Sequence, residues 1–396
     1  MQLRPLTLIG IVISMVTGIT LGIVSYHAWL EQHWESAEAR TFDEVLHQVQ
    51  SSYVDEVARA ELMNNALRGM LDHLDDHSNF LDARELHELQ EETTGRFGGI
   101  GIELGLVDDL FTVISPLDHT PASHAGLQPG DRILELDHQS LLGRTLMEVV
   151  DALRGEPGSE IHLRIRRDKR DFDVQIERAV IEVASVTGRL LEPGFGLVRI
   201  SQFQNATGEE FDKALQSLVE DNGAPLEGLV LDLRNNPGGV LQASVDVTDA
   251  FLKEGLIVYT EGRLPSSHLK YRASGRDLLD GAPVVVLINE GSASAAEIVA
   301  GALQDHARAQ LLGSRSYGKG SVQSVMPISG DNALKLTTAY YYTPRGRSIH
   351  KTGIEPDVLA QAGDIPEEAE SRLLEQALSM LKAAQPASSG ALHARL

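Results

Sequence analysis

Cysteine is absent from the chain. Thiol catalysis and disulfide frameworks are therefore excluded, and the absence is compatible with an oxidising compartment. Basic charge is scarce as well: 34 Lys and Arg stand against 57 Asp and Glu, a formal charge of −23. With no basic stripe to offset it, nucleic acid is not an expected partner. Metal ligation has little to draw on. His73 and His77 are four apart on an expected helix, but no third ligand joins them in a motif, so a solvated face accounts for them. No metal or cofactor is expected.

One uncharged, mostly apolar run of membrane-spanning length is present, at residues 6–26, with Arg4 before it and acidic residues after it. It is longer than the apolar segment of a signal peptide, typically about 7–15 residues. Ala37-Glu38-Ala39 resembles a cleavage site but lies far beyond the run. The expectation is an uncleaved anchor within residues 1–30, with the amino terminus cytoplasmic and the body outside the inner membrane.

The remainder of the 396 residues, with 42% apolar side chains overall, suffices for two or three globular domains. Residues 31–95 read as helical: Phe42, Val45, Leu46 and Val49, then Leu67, Met70, Leu71 and Leu74, recur at steps of three and four. From 96 to 180 the pattern changes to short strands with glycine turns, around a helix near Thr145 to Arg154. Residues 181–360 alternate apolar strands with helices, which points to an α/β core. Segment 361–396 opens on a break and then a helix with Leu373, Leu374, Ala377, Leu378 and Leu381 on one stripe. That stripe serves either to cover the core or to self-associate. A small, polar tail from Gln385 is expected to be disordered.

Residues 284–323 organise the chain. An apolar strand (VVVLI) breaks at Asn289-Glu290-Gly291 and enters an alanine-rich helix at Ser294. A serine at such a turn lies beside the free N–H groups of a helix start, which hold negative oxygen well. Lys319 follows between two glycines, and Gln323 lies four residues on in a strand, where both can share a face. Serine, lysine and amide then supply a nucleophile, a base and an orienter. Ser294 with Glu297 is equally a capping box, and a lysine between glycines is equally a solvated loop residue.

Resemblance bears on that choice. GSASAAEIVAGAL, GKGSVQ, SQF (201–203), DLRNNPGG (232–239), TP-x-G-x-SI (343–349) and GIEPD (353–357) resemble the carboxyl-terminal processing, or tail-specific, serine proteases. The resemblance implies Ser294 as nucleophile, Lys319 as general base and Gln323 as its orienting partner, with Ser292 as the rival nucleophile. It also implies an oxyanion hole from Ala295 and a glycine, Gly238 or Gly239, of which Gly239 is preferred. The run from Ile114 to Asp137, with GGIGIEL before it, resembles a PDZ domain. Gly98, Gly99, Ile100 and Gly101 would hold a terminal carboxylate, the next strand would pair with the peptide, and Arg154 would sense it. The implied fold is mixed α/β: a crotonase- or Clp-protease-like core with an inserted PDZ domain and helical terminal segments.

The implied function is a bacterial envelope endopeptidase, periplasmic and needing no cofactor, that cleaves proteins with exposed C-terminal tails. A gating PDZ domain, a lipoprotein adaptor and a homo-oligomer follow from the same resemblance. The rival is a non-catalytic PDZ scaffold that only binds tails; a crotonase-like acyl-CoA enzyme leaves the PDZ segment and the anchor without purpose. A Ser-x-x-Lys enzyme is excluded because position 297 is glutamate. His306 and His350 are expected to be structural.

Overall fold

The computed structural model describes residues 37–360 and 366–384. It divides after Phe80 into two units. The division falls inside the helical region 31–95, so the helix Ala83–Thr94 belongs with the second unit and not with the helices before it. The expected membrane run at 6–26 lies outside the described residues. Among those described, no helix is long and apolar enough to cross a membrane.

The first unit contains the helices Ala37–Ser52 and Arg59–Asp72, joined by an Arg59–Asp43 ion pair at 3.0 Å. Leu46 and Leu71 are buried, whereas Phe42, Val45 and Met70 remain exposed. Only part of the apolar stripe read from the sequence is therefore used.

In the second unit, residues 102–177 form an antiparallel sheet ordered Ile102–Val107, Leu110–Pro116, Arg132–Leu136, Glu160–Arg167, Arg170–Glu177. Alternating apolar residues such as Val113, Ile133, Ile161 and Ile165 meet Val149 and Leu153 of the helix Leu146–Leu153 in one core. That helix starts with a Thr145–Glu148 capping box. At its other end the buried Arg178 donates to the carbonyls of Leu153 (3.0 Å) and Ala152 (2.9 Å), putting positive charge on the negative helix end. A separate ribbon, Arg96–Gly99 against Ala179–Glu182, ties the entry of this domain to its exit.

The larger core is a six-stranded sheet ordered Val186–Glu192, Phe195–Ile200, Gly228–Asp232, Val284–Ile288, Ala309–Gly313, Val358–Leu359. The first pair is antiparallel and all later neighbours are parallel. Parallel strands buried on both faces need no polar alternation, which is why VVVLI reads as an unbroken apolar run. Helices Thr207–Asn222, Leu241–Asp249 and Ala295–Asp305 share the large core cluster on one side of it. The hairpin Ser321–Pro327 with Ala333–Tyr342, continued by Leu256–Gly262, forms part of a further sheet.

The C-terminal helix Pro366–Ala384 settles one alternative left open by its sequence. Ala377 and Leu381 are fully buried against Phe195, Val230, Val285 and Leu312, so the stripe covers the core sheet. It is not a free face for association. Leu381→Ala is expected to cost about 2–5 kcal/mol, the range for a large-to-small change at a buried site. Urea denaturation checks this, and a change below about 0.5 kcal/mol would mean that the helix is dispensable to the core.

Candidate active site

Ser294 sits where the buried strand Val284–Ile288 turns into the helix Ala295–Asp305. Its backbone has φ 55° and ψ −113°, a conformation that costs a non-glycine residue on the order of 1–3 kcal/mol. Such a turn thrusts a side chain out at the head of a helix, as in the nucleophile elbow of the α/β-hydrolases. Close packing holds it there. A Cβ on Gly238 would lie 2.6 Å from the Ser294 Cβ, so only glycine lets the 232–239 loop approach the turn this closely. Asn236, fully buried, accepts from the Gly238 N–H at 2.9 Å and donates to the Ile200 carbonyl at 2.9 Å. Its own carbonyl takes the Ala293 N–H at 2.9 Å.

These bonds leave a particular residue set. The Gly238 N–H is occupied, while those of Gly239 and Ala295 have no acceptor among the described residues. Both line the same cleft as Ser294. Gly239 is held by Phe203: the Phe203 N–H donates to Gly238 and the Val240 N–H to Phe203, which turns the intervening Gly239 N–H the other way. Two free amides beside a serine hydroxyl are what an oxyanion site requires.

Glu297 does more than close a capping box. Fully buried, it accepts from the N–H of Ser294 (2.8 Å), the Ser316 hydroxyl (2.6 Å), and the N–H groups of Gly318 (2.7 Å) and Lys319 (2.9 Å). One carboxylate thus ties the serine turn to the lysine loop. Burial pushes its pKa above the ordinary value, against the pull of these four bonds.

Lys319, half-buried, lines the cleft with Ser294. Burial holds its ammonium below the ordinary lysine pKa, the nearby charge of Lys335 lowers it further, and Glu297 acts the other way. Gln323 lines the cleft too, but its amide donates to Ser321 (2.9 Å) and Thr337 (3.3 Å) and makes no hydrogen bond to Lys319. The register irregularity beside Gln323 puts the extra residue, Thr338, on the partner strand. Tyr341, unremarked in the sequence, is buried with its hydroxyl donating to the Lys319 carbonyl, and it lines the same cleft as Ser294. Burial, with Glu297 nearby, holds this phenol well above its usual pKa, so it stays protonated. Strand alternation around a buried 341 was its only sequence signal.

The alternative candidates lie elsewhere. Ser292 is fully buried and spends its hydroxyl on the Leu233 carbonyl (2.7 Å), so it shapes the turn. His306 bonds the Leu256 carbonyl at 2.7 Å, and His350 packs on Tyr340 with ring centroids 4.9 Å apart. Neither lines the cleft of Ser294.

In the smaller domain, Gly98 and Gly99 are ladder residues of the ribbon with Val180 and Ala179 and not part of an open loop. The turn itself is Ile100 and Gly101, whose N–H groups have no acceptor among the described residues. The next strand, Ile102–Val107, is an edge of its sheet, and the helix Leu146–Leu153 lies close to it. Arg154 ends that helix, stacks on Phe97 at 4.9 Å and pairs with Glu91 at 3.3 Å. Glu91 lies on the helix Ala83–Thr94, which also sends Leu89, Glu92 and Thr93 to the cleft.

Comparison with known proteins follows the same division. Residues 194–360 match peptidase family S41, and residues 112–167 match a PDZ domain. A carboxy-terminal-processing protease of Bartonella bacilliformis is 44% identical over 323 residues, covering 81% of this chain and 74% of its own length. Carboxy-terminal processing protease CtpA of Bacillus subtilis is 31% identical over 369 residues, covering 92% of this chain and 78% of its own. A solved chain from Bacteroides fragilis assigned to the S41 proteases shares the fold, with TM-score 0.50 at 17% identity, covering 85% of this chain and 92% of that one.

Two outcomes are expected from the Glu297 network. Glu297→Ala leaves four buried donors without their acceptor and should cost at least about 2 kcal/mol in denaturation experiments. In competitive amine labelling read by mass spectrometry, Lys319 should reach half-reaction below the pH of exposed lysines. Glu297→Gln should move that midpoint further down, because the carboxylate favours the ammonium. An upward move would contradict the electrostatic account.

Proposed function

Because the chain belongs to the carboxy-terminal-processing proteases of peptidase family S41 and carries a PDZ domain, we propose that it cleaves protein tails with a Ser294–Lys319 dyad. The observation that carries this reading is the meeting, in one cleft, of a strained serine, a lysine of depressed pKa and two unpaired amides. Neutral Lys319 takes the Ser294 proton as Oγ attacks the scissile carbonyl carbon. The amides of Gly239 and Ala295 receive the oxyanion. The Lys319 ammonium then gives its proton to the leaving amine, and water hydrolyses the acyl-enzyme by the reverse path. Gln323 donates to two hydroxyls, which leaves its amide oxygen to accept from Lys319 as the substrate closes the cleft. Tyr341 holds the Lys319 backbone in register.

Tail recognition belongs to the PDZ domain. The peptide adds to the edge of Ile102–Val107, its carboxylate on the amides of Ile100 and Gly101. Arg154 reports occupancy through Glu91 to the helix Ala83–Thr94, which lines the catalytic cleft. That route gives gating a physical carrier. The site of action is the bacterial envelope, the periplasmic side of an inner membrane reached by the run at 6–26, with a lipoprotein adaptor and a homo-oligomer as partners. A silent PDZ scaffold would have no use for the strained turn or the desolvated lysine.

Ser294→Ala and Lys319→Ala should each lower cleavage of an unfolded tailed protein by at least about 10³-fold with the fold intact by circular dichroism, and Gln323→Ala by less. For the wild type, kcat/KM should rise with pH through the depressed Lys319 pKa, since only the neutral amine accepts a proton. Activity retained in Ser294→Ala would end the assignment. Arg154→Ala should reduce the preference for a tailed protein over a short peptide; equal loss on both substrates would mean that Arg154 is structural.

A further inference from the structure

The catalytic cleft contains a second lysine that the dyad does not use. Lys335 lies on Ala333–Tyr342, paired across the hairpin with Val325, two rungs outward from the Gln323–Thr337 pair. Lys335 and Thr337 share one face on the outer side of the register irregularity at Thr338. Thr337 bonds Gln323 from that face. Lys335 lines the cleft with Gln323, Tyr341 and Ser294 and is partly buried. It has no ion-pair or hydrogen-bond partner among the described residues.

That is unusual for this molecule. Several partly covered arginines have carboxylates: Arg167 has Asp131 (2.7 Å), Arg234 has Asp232 (2.6 Å) and Arg308 has Asp277 (3.3 Å), while the buried Arg178 is satisfied by carbonyls. Acidic side chains exceed basic ones by 57 to 34, so partners are plentiful. Glu92 lines the same cleft yet makes no ion pair with Lys335. A partly desolvated ammonium facing a second ammonium is unfavourable on both counts. An anion arriving from outside relieves both.

We propose that Lys335 is a specificity residue that pairs with a substrate carboxylate lying in the cleft within a few residues of the cut. The inference rests on the protease reading above. The carboxylate belongs either to an Asp or Glu side chain or to the free end of a short tail. Pairing places the peptide in register against Ser294 and neutralises the charge beside Lys319.

The test uses the full chain and one neutral cleavable peptide, made with Ala or Glu at each position within three residues of the cut and with a free or amidated carboxyl end. The quantity read is the ratio of kcat/KM for acidic over neutral peptides, which cancels any effect of Lys335 on the dyad itself. Wild type should favour a carboxylate at one position by about ten-fold, as expected for a charge-assisted bond. Lys335→Gln should bring the ratio near one, and Lys335→Glu should favour a Lys-substituted peptide instead. Preference for Glu with an amidated end identifies a side chain as the source; preference only for the free end identifies the terminus. A ratio unchanged in Lys335→Gln, or no acidic preference in wild type, overturns the proposal. Calorimetric binding of the same peptides to Ser294→Ala runs in parallel. Failure of every peptide to be cleaved then counts against the protease reading, while loss of carboxylate-dependent binding in the Lys335→Gln double variant still decides the role of Lys335.

Discussion

The active site depends on one buried carboxylate. Glu297 accepts four hydrogen bonds, two from the backbone amides of Ser294 and Lys319 themselves. Without it, the strained serine turn and the glycine-flanked lysine loop, contributed by segments 25 positions apart, would keep only packing and the backbone bond from the Tyr317 N–H to the Ser292 carbonyl (3.0 Å). The arrangement is costly in desolvation, as the raised pKa shows, and it is kept because each oxygen has two donors. Neither backbone can move alone.

Much of the fold was legible because its signals are local. Unbroken apolar runs marked the parallel strands, capping residues marked helix starts, and glycine spacing marked the smaller domain. Ser294 and Lys319 were legible through motif resemblance, and they do line one cleft. What stayed hidden depends on contacts between distant segments. Glu297 read as a cap because its bonds to Ser316 and Gly318 span about twenty residues. Tyr341 looked like one more strand residue. Gln323 lines the cleft with Lys319, but its amide bonds to Ser321 and Thr337 could not be read from the sequence. Gly98 and Gly99 read as a loop because their ribbon partners, Val180 and Ala179, come some eighty residues later. The apolar stripe at the C-terminus admitted two destinations, and only the packed sheet distinguishes them.

The helix Ala83–Thr94 precedes both globular parts of its unit and touches the business of each. It pairs with the end of the PDZ helix through Glu91 and sends Leu89, Glu92 and Thr93 to the catalytic cleft. Its own start is fixed by a capping box at Asp82 and its end by a left-handed glycine, Gly95.

The cover of the core sheet has a consequence for synthesis. The helix Pro366–Ala384 follows every strand of that sheet in the chain, yet its Ala377 and Leu381 complete the packing over Phe195, Val230 and Val285. A polypeptide emerges amino terminus first, and its domains consolidate in that order. The PDZ domain can therefore be finished while the sheet behind Ser294 still lacks one side. The smaller domain is closed on itself while the sheet behind Ser294 still waits for its last helix.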